Sequence, residues 1–215
     1  MDEIAEQVRR QFDAGVQRYL RWTPSAQFQG IMRWILANSL TSRTKGILEV
    51  GCGHGTWLEF ILNNVPDAAR LEFFGIDISQ ARIMAAQRRL KSFQNVHLMT
   101  DDIASYRPSR KFDLILFAEV LAYIPSAFYD RIFARCHELL EPEGVLSIVD
   151  KDRWSVYALT IAFKRALGQL PPEFQYVLYP SFHDLKRIAG QTGFAVHAFA
   201  KTKEFRGLVL CKGEV

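Results

Sequence analysis

A chain of 215 residues suffices for one domain with a full core and is short for two. Its 49% apolar and 23% charged residues are ordinary globular values, which exclude a disordered polymer. The net charge is +4 with no run of about five or more Lys or Arg, so nucleic-acid binding gains no support. Cys52, Cys136 and Cys211 lie far apart, with no C-x-x-C pair and no metal-ligand spacing. Their odd count argues against a disulfide framework, and a reducing, cytoplasmic setting is expected. Met1-Asp2-Glu3-Ile4 does not read as a secretory leader, and charges interrupt every apolar stretch before the roughly 18 residues of a membrane span.

In chain order, Ile4 to Leu20 and Phe28 to Leu40 read as helices; the second carries Phe28, Ile31, Met32, Ile35 and Leu36 at helical spacing. Gly46 to Val50 is a strand that stops at a glycine cluster. A helix follows, with Thr56-Trp57-Leu58-Glu59 in the form of a capping box and Leu58, Ile61, Leu62 and Val65 on one side. Leu71 to Ile76 is the second strand, and Ser79 caps the next helix through Ile83, Ala86 and Leu90. Val96 to Met99 and Phe112 to Phe117 are the third and fourth strands; the fourth is almost continuously apolar, as a strand covered on both faces should be. Phe128, Ile132, Cys136 and Leu139 mark a helix that Pro142 and Gly144 should end. Val145 to Val149 is the fifth strand. A helix over Val156 to Leu167, a Pro171-Pro172 break, an aromatic stretch to Tyr179 and a short helix through Leu185 and Ile188 follow. Phe194 to Phe199 and Gly207 to Cys211 close the chain, as an antiparallel pair at one sheet edge. Alternation of strand and helix predicts an α/β fold: a Rossmann-like, seven-stranded, mostly parallel sheet with helices on both faces.

The segment Glu49-Val50-Gly51-Cys52-Gly53-His54-Gly55 stands where the first strand turns into a helix, where glycine permits a tight turn and close approach of a ligand. Its spacing is G-x-G-x-G and not the G-x-G-x-x-G of a dinucleotide loop, which speaks against a nicotinamide enzyme. Glu49, two residues before the first glycine, would repel a pyrophosphate but suits an ammonium and a sulfonium. Asp77 ends the second strand, where a carboxylate can accept both ribose hydroxyls of an adenosine. Asp102, just past the third, is placed to meet the adenine amino group.

These segments, with Gly75-Ile76-Asp77-Ile78-Ser79, Asp101-Asp102-Ile103, Phe112-Asp113-Leu114-Ile115 and the stretch Glu138 to Leu146, resemble five consecutive motifs of the class I S-adenosylmethionine-dependent methyltransferases, of the small-molecule type. The resemblance runs from about Lys45 to Asp150. It implies one domain: a helical cover over 1–44, a cofactor-binding core over 45–150, a substrate-side insert over 151–190 and closing strands over 191–215. It implies S-adenosylmethionine as cofactor and S-adenosylhomocysteine as product. Glu49, Gly51, Cys52 and Gly53 would approach the methionine half, Asp77 the ribose, and Ile78, Asp102 and Ile103 the adenine. Phe117, Ala118 and Glu119 would face the methionine and the substrate entrance. Phe12 to Tyr19 resembles a helix that folds over the cofactor in many such enzymes, with Tyr19 as the covering residue and Trp22 nearby.

Methyl transfer is an in-line displacement that mainly demands alignment and exclusion of water, with a base for acceptors that must lose a proton. Phe117 to Pro125 resembles the Glu-x-Leu-Glu-His-(Val/Ile)-Pro segment of quinone-biosynthesis O-methyltransferases, with Ala122 and Tyr123 in place of the Glu-His pair. Tyr123 and Asp150 are therefore the candidate catalytic residues, without a metal. His54 reads as a cofactor cover and His183 as a helix start. The expected activity is O- or N-methylation of a small, apolar or aromatic acceptor in a biosynthetic pathway, by a monomer or homodimer. A non-catalytic binder of the same fold and a protein or RNA methyltransferase are the alternatives.

Overall fold

The computed structural model describes residues 6, 9, 10, 12, 13, 24–170 and 177–213. Helix α1 (Ala26–Ser39) begins at Ser25, whose side chain accepts from the Phe28 N–H. Then come β1 (Gly46–Val50), α2 (Thr56–Asn64), β2 (Glu72–Asp77), α3 (Gln80–Arg89), β3 (Val96–Thr100) and β4 (Phe112–Ala118). They are followed by α4 (Tyr129–Leu139), β5 (Leu140–Lys151), α5 (Val156–Ala166), α6 (Phe182–Gln191), β6 (Phe194–Lys201) and β7 (Phe205–Lys212).

The seven strands form one sheet in the order β3-β2-β1-β4-β5-β7-β6. The first five pair in parallel, and β7 joins β5 and β6 antiparallel. Successive side chains point to opposite faces, so two cores result. Leu48, Ile115 and Phe117 pack under α4 and α6, whereas Ile47, Leu114 and Leu116 pack under α1, α2 and α3. Because the strands are parallel, the carboxyl ends of β1, β2, β4 and β5 open on one edge. The chain leaves β1 toward β2 on one side and returns to β4 on the other, so the crevice of the sheet lies between those ends. No helix of the described residues is long and apolar enough to cross a membrane.

Two local expectations change. Thr56 is not a cap but the first helical residue; Gly55 holds the N-cap position at φ 80°, and no side chain bonds there. The helix ends before Pro142 and Gly144 as expected, but β5 starts at Leu140 rather than Val145 and so contains both. They lie where its register with β4 shifts between the Phe112–Leu140 and Leu114–Val145 pairs. A bulge leaves the Pro nitrogen outside the ladder, which is how a strand tolerates it. The expected helix over Ile4 to Leu20 lies mostly outside the described residues, although Phe12 and Asp13 are helical.

Candidate cofactor and acceptor site

Beyond β1 the backbone turns through Gly51 at φ 68° and Gly53 at φ 55°. The Gly51 and Cys52 amides both donate to the Ile76 carbonyl, at 2.8 and 3.0 Å, which fastens the loop to β2. A Cβ on Gly51 would stand 2.5 Å from Val120 Cγ2, so the loop also packs on the segment after β4. A Cβ on Gly53 would meet nothing nearer than an Arg82 nitrogen at 3.6 Å. Gly53 faces open space, and that space is a cavity of about 460 Å³.

The cavity runs across the strand ends. On the β3 side Ile78, Asp101, Asp102 and Ile103 line it; under the loop Gly51, Cys52, Gly53, His54, Thr56 and Asp77 do. On the β5 side the wall is Ala118, Glu119, Tyr123, Phe128, Lys151 and Tyr157. Phe12 also lines it. Its ring lies under the Arg82 guanidinium at 3.8 Å and edge-on to Tyr123 at 5.0 Å, while the neighbouring Asp13 carboxylate accepts from Ser79 Oγ.

Asp77 is buried, with Oδ2 accepting from the Gly53 amide and Oδ1 from the Ser79 amide, each at 2.9 Å. Two of its roughly four lone-pair sites therefore remain for a ligand. Burial raises its pKa, while Arg82 and the two amides oppose the rise. Asp102 Oδ1 accepts from the Ala104 amide at 2.9 Å, which rigidifies the turn against the cavity. His54 Nε2 and Thr56 Oγ1 are buried without a hydrogen-bond partner among the described residues. Burial, then the charges of Arg89 and Arg82, lower His54 to about 4, so it is neutral at pH 7. A wall with unpartnered polar atoms and spare carboxylate lone pairs is a site for a polar ligand, because such groups are costly when left unmade.

At the other end Lys151 Nζ stands 3.6 Å from Glu119 Oε1 and over the rings of Phe205 and Tyr157, at 4.0 and 4.7 Å. Glu119 occupies the left-handed region at φ 57°, a costly conformation for a residue with a side chain. Its amide donates to the Val149 carbonyl at 2.7 Å, which holds the turn. Burial raises the Glu119 pKa against the opposing charge of Lys151. Burial also drives the Tyr179 pKa far up, with Tyr123, Asp150, Tyr157 and Glu119 adding to the rise, so this phenol stays protonated beside the acceptor end.

Of the residues expected at the site, Gly51, Cys52, Gly53, Asp77, Ile78, Asp102, Ile103, Ala118, Glu119 and Tyr123 meet at one cavity. Glu49 and Phe117 do not reach its wall. Phe117 points into the core beside Leu48 and Leu121. Glu49 shares the strand face of Ile47, beneath α2, and is fully buried. Neither of its oxygens finds a hydrogen-bond partner among the described residues. Burial and then the charge of Asp77 raise its pKa strongly; the Leu58 N–H, short of hydrogen-bond geometry, acts the other way. Glu49 and Asp77 thus lie close enough beneath the loop for the charge of one to raise the pKa of the other. Cys52 is kept a thiol by burial and these two acids. Tyr19 and Trp22 lie outside the described residues, and His183 is exposed on α6, away from the cavity.

Asp150 also stands behind the wall, which corrects its expected contact with substrate. It is fully buried, and its oxygens accept from the Ala122 amide at 3.2 Å and the Lys151 amide at 2.8 Å. It therefore fixes the turn that carries Tyr123. Burial, then the Glu119 charge, raise Asp150 to about 7, opposed by Arg206. A raised acid binds its proton more tightly when folded, so this group's contribution to stability falls as pH rises from about 4 through about 7. Asp150→Asn can serve only one of the two amides and should be less stable than wild type at pH 5. Because the variant lacks the titrating group, that deficit should shrink by at least about 1 kcal/mol by pH 8, read as urea midpoints. A deficit independent of pH would contradict this placement. Sequence reasoning missed Phe12, Lys151 and Tyr157. Strand alternation offered a signal for Lys151, since a buried Asp150 sends its neighbour to the opposite face.

An open, mostly parallel sheet with a buried carboxylate beside a G-x-G-x-G turn defines the class: a Rossmann-like domain with a cavity at its strand ends. Residues 48–146 match the family model described as "Methyltransferase domain". A malonyl-[acyl-carrier protein] O-methyltransferase of Ilyobacter polytropus is 29% identical over 145 residues, 66% of this chain and 52% of that protein. A trans-aconitate 2-methyltransferase of Escherichia coli is 32% identical over 120 residues, 56% of this chain and 44% of that protein. The chain thus spans about half the length of the curated relatives it matches. Magnesium protoporphyrin IX methyltransferase (ChlM) from Synechocystis PCC 6803, solved with bound S-adenosylhomocysteine, superposes with a TM-score of 0.72 at 18% identity, over 98% of this chain and 100% of that one. The N-methyltransferase NodS from Bradyrhizobium japonicum WM9 gives a TM-score of 0.69 at 18% identity, over 94% and 99%. In sequence over its central part, and in fold over almost its whole length, the chain is thus similar to methyltransferases.

Proposed function

We propose that this chain is an S-adenosylmethionine-dependent methyltransferase for a small-molecule acceptor, at oxygen or nitrogen. The observation that carries this is one cavity joining Gly53, Asp77 and Asp102 to an aromatic chamber at Tyr123, Tyr157 and Lys151. Asp77 has two unused acceptor sites for ribose hydroxyls, Ile78 and Ile103 offer apolar faces to an adenine, and His54 and Thr56 await polar partners. These residues fit S-adenosylmethionine, which when bound supplies a methyl group on a sulfonium.

The remaining work falls to the chain itself. Tyr123, Phe128 and Tyr157 give the acceptor an apolar bed, and Phe12 covers it against water. Lys151 is a cation in the chamber wall, which suits an acceptor with an anionic oxygen; such a nucleophile needs no base, in keeping with Ala122 and Tyr123 standing where the Glu-His pair would be. The relative named a malonyl-[acyl-carrier protein] O-methyltransferase supports an oxygen acceptor. The test is calorimetry followed by turnover. S-adenosylmethionine should bind with a Kd well below about 1 mM, near −4 kcal/mol. Incubation with a small-molecule extract should then release S-adenosylhomocysteine. Absence of binding would sink the proposal, and binding without turnover on any extract would leave a ligand-holding protein in its place.

A further inference from the structure

Helix α5 is apolar on two sides. Ala158 and Ile161 face the core, yet Val156, Leu159 and Phe163 on the opposite side are 81%, 48% and 66% exposed. Their spacing of three and four residues places them on one stripe, which Leu167, 53% exposed, continues past the helix end. Trp154, 68% exposed, precedes the helix. Leu178 is exposed too, next to Val177, whose carbonyl accepts from Arg165 of α5. A helix apolar all round is ordinarily buried. This one presents its second stripe to solvent.

From Lys151 to Gln169 the exposed charges have one sign, although Asp184 of α6 acts on Arg153. Helix α5 contains no Asp or Glu, Arg153 precedes it, and Lys164 and Arg165 occupy its last turn. Asp152, the only acid from Lys151 to Gln169, is buried and paired with Lys201 at 3.1 Å. We infer that α5 is a peripheral docking surface for an anionic lipid bilayer, with Trp154, Leu159, Phe163 and Leu167 entering the headgroup layer and Arg153 and Lys164 meeting lipid phosphates. An apolar stripe bearing a tryptophan and flanked by cations is what an interfacial helix requires.

A second copy of the chain fits the surface less well. At 1.5 Å per residue the helix offers a strip of roughly 16 by 10 Å, against the ~800 Å² per partner of a stable protein interface. A bilayer needs no matching shape. Tyr157 on the same helix lines the cavity, so docking would set the cavity mouth at the membrane surface. The inference does not depend on the proposed methyl transfer.

The test is sedimentation of the whole chain with vesicles of phosphatidylcholine, with and without phosphatidylglycerol. Binding to the anionic vesicles should exceed that to phosphatidylcholine alone by about tenfold and fall as salt rises. Leu159→Glu with Phe163→Glu should abolish it while leaving the unfolding midpoint and S-adenosylmethionine affinity unchanged, since both positions are exposed. Lack of pelleting with either vesicle, or equal pelleting of the double variant, would overturn the inference. So would a wild-type dimer in sedimentation velocity that Phe163→Glu converts to monomer, because a second copy would then cover the stripe.

Discussion

Asp77→Ala is expected to weaken S-adenosylmethionine binding by about 10- to 150-fold, or roughly 1.5–3 kcal/mol. The effect has two parts. In the proposed function the two unused lone-pair sites of the carboxylate take ribose hydroxyls, and charge-assisted hydrogen bonds there are the strong kind. The same carboxylate holds the Gly53 and Ser79 amides, so its loss also slackens the loop under the ligand. Asp77→Asn separates the parts: its single carbonyl oxygen retains one amide and its NH₂ repels the other, so its affinity should fall between wild type and alanine. Calorimetry on the three proteins is the measurement. Equal affinity in all three would remove Asp77 from the ligand.

Gly51→Ala should cost stability and not only binding. The residue sits at φ 68°, where a side chain costs about 1–2 kcal/mol. Its new Cβ would lie 2.5 and 2.9 Å from the two Val120 methyls, and overpacking of this kind costs roughly 1–3 kcal/mol more. Urea unfolding should therefore show a loss of about 2–5 kcal/mol. Val120→Ala removes both methyls, so in the double variant the crowding part should return, whereas the backbone part cannot. If Gly51→Ala unfolds at the wild-type midpoint, the loop does not pack on Val120 as drawn.

Much of this architecture was legible because its causes are local. Ile47, Leu48 and Val50, or Leu114 to Phe117, read as strands because burial on both faces demands an unbroken apolar run. Ser79 read as a cap because its side chain does what its position suggests, accepting the Arg82 amide. The glycine turn and Asp77 read correctly as partners of one cavity, since parallel strands must end on one edge. Failures came where tertiary packing overrides a local signal. Thr56 has the chemistry of a cap, but Gly55 alone can take the left-handed turn that leads into α2. Pro142 and Gly144 look foreign to a strand, so β5 was expected only from Val145, yet a bulge against β4 absorbs them. Glu49 and Asp150 were credited with ligand contacts, yet both are fully buried behind the cavity wall, Glu49 beneath α2 and Asp150 on the sheet face opposite Lys151. Phe12 was not singled out because it meets Arg82 and Tyr123, contacts between segments about 70 and 111 positions apart in the chain.

That single phenylalanine touches both halves of the site. The face of its ring lies under the guanidinium of Arg82, near Asp77, and the ring meets the phenol of Tyr123 edge-on at the Lys151 end. Whatever shifts the ring on behalf of one guest reshapes the chamber offered to the other. Linkage then makes the influence mutual: each guest alters its companion's affinity by the same factor. The order in which the two arrive becomes a property of one shared ceiling.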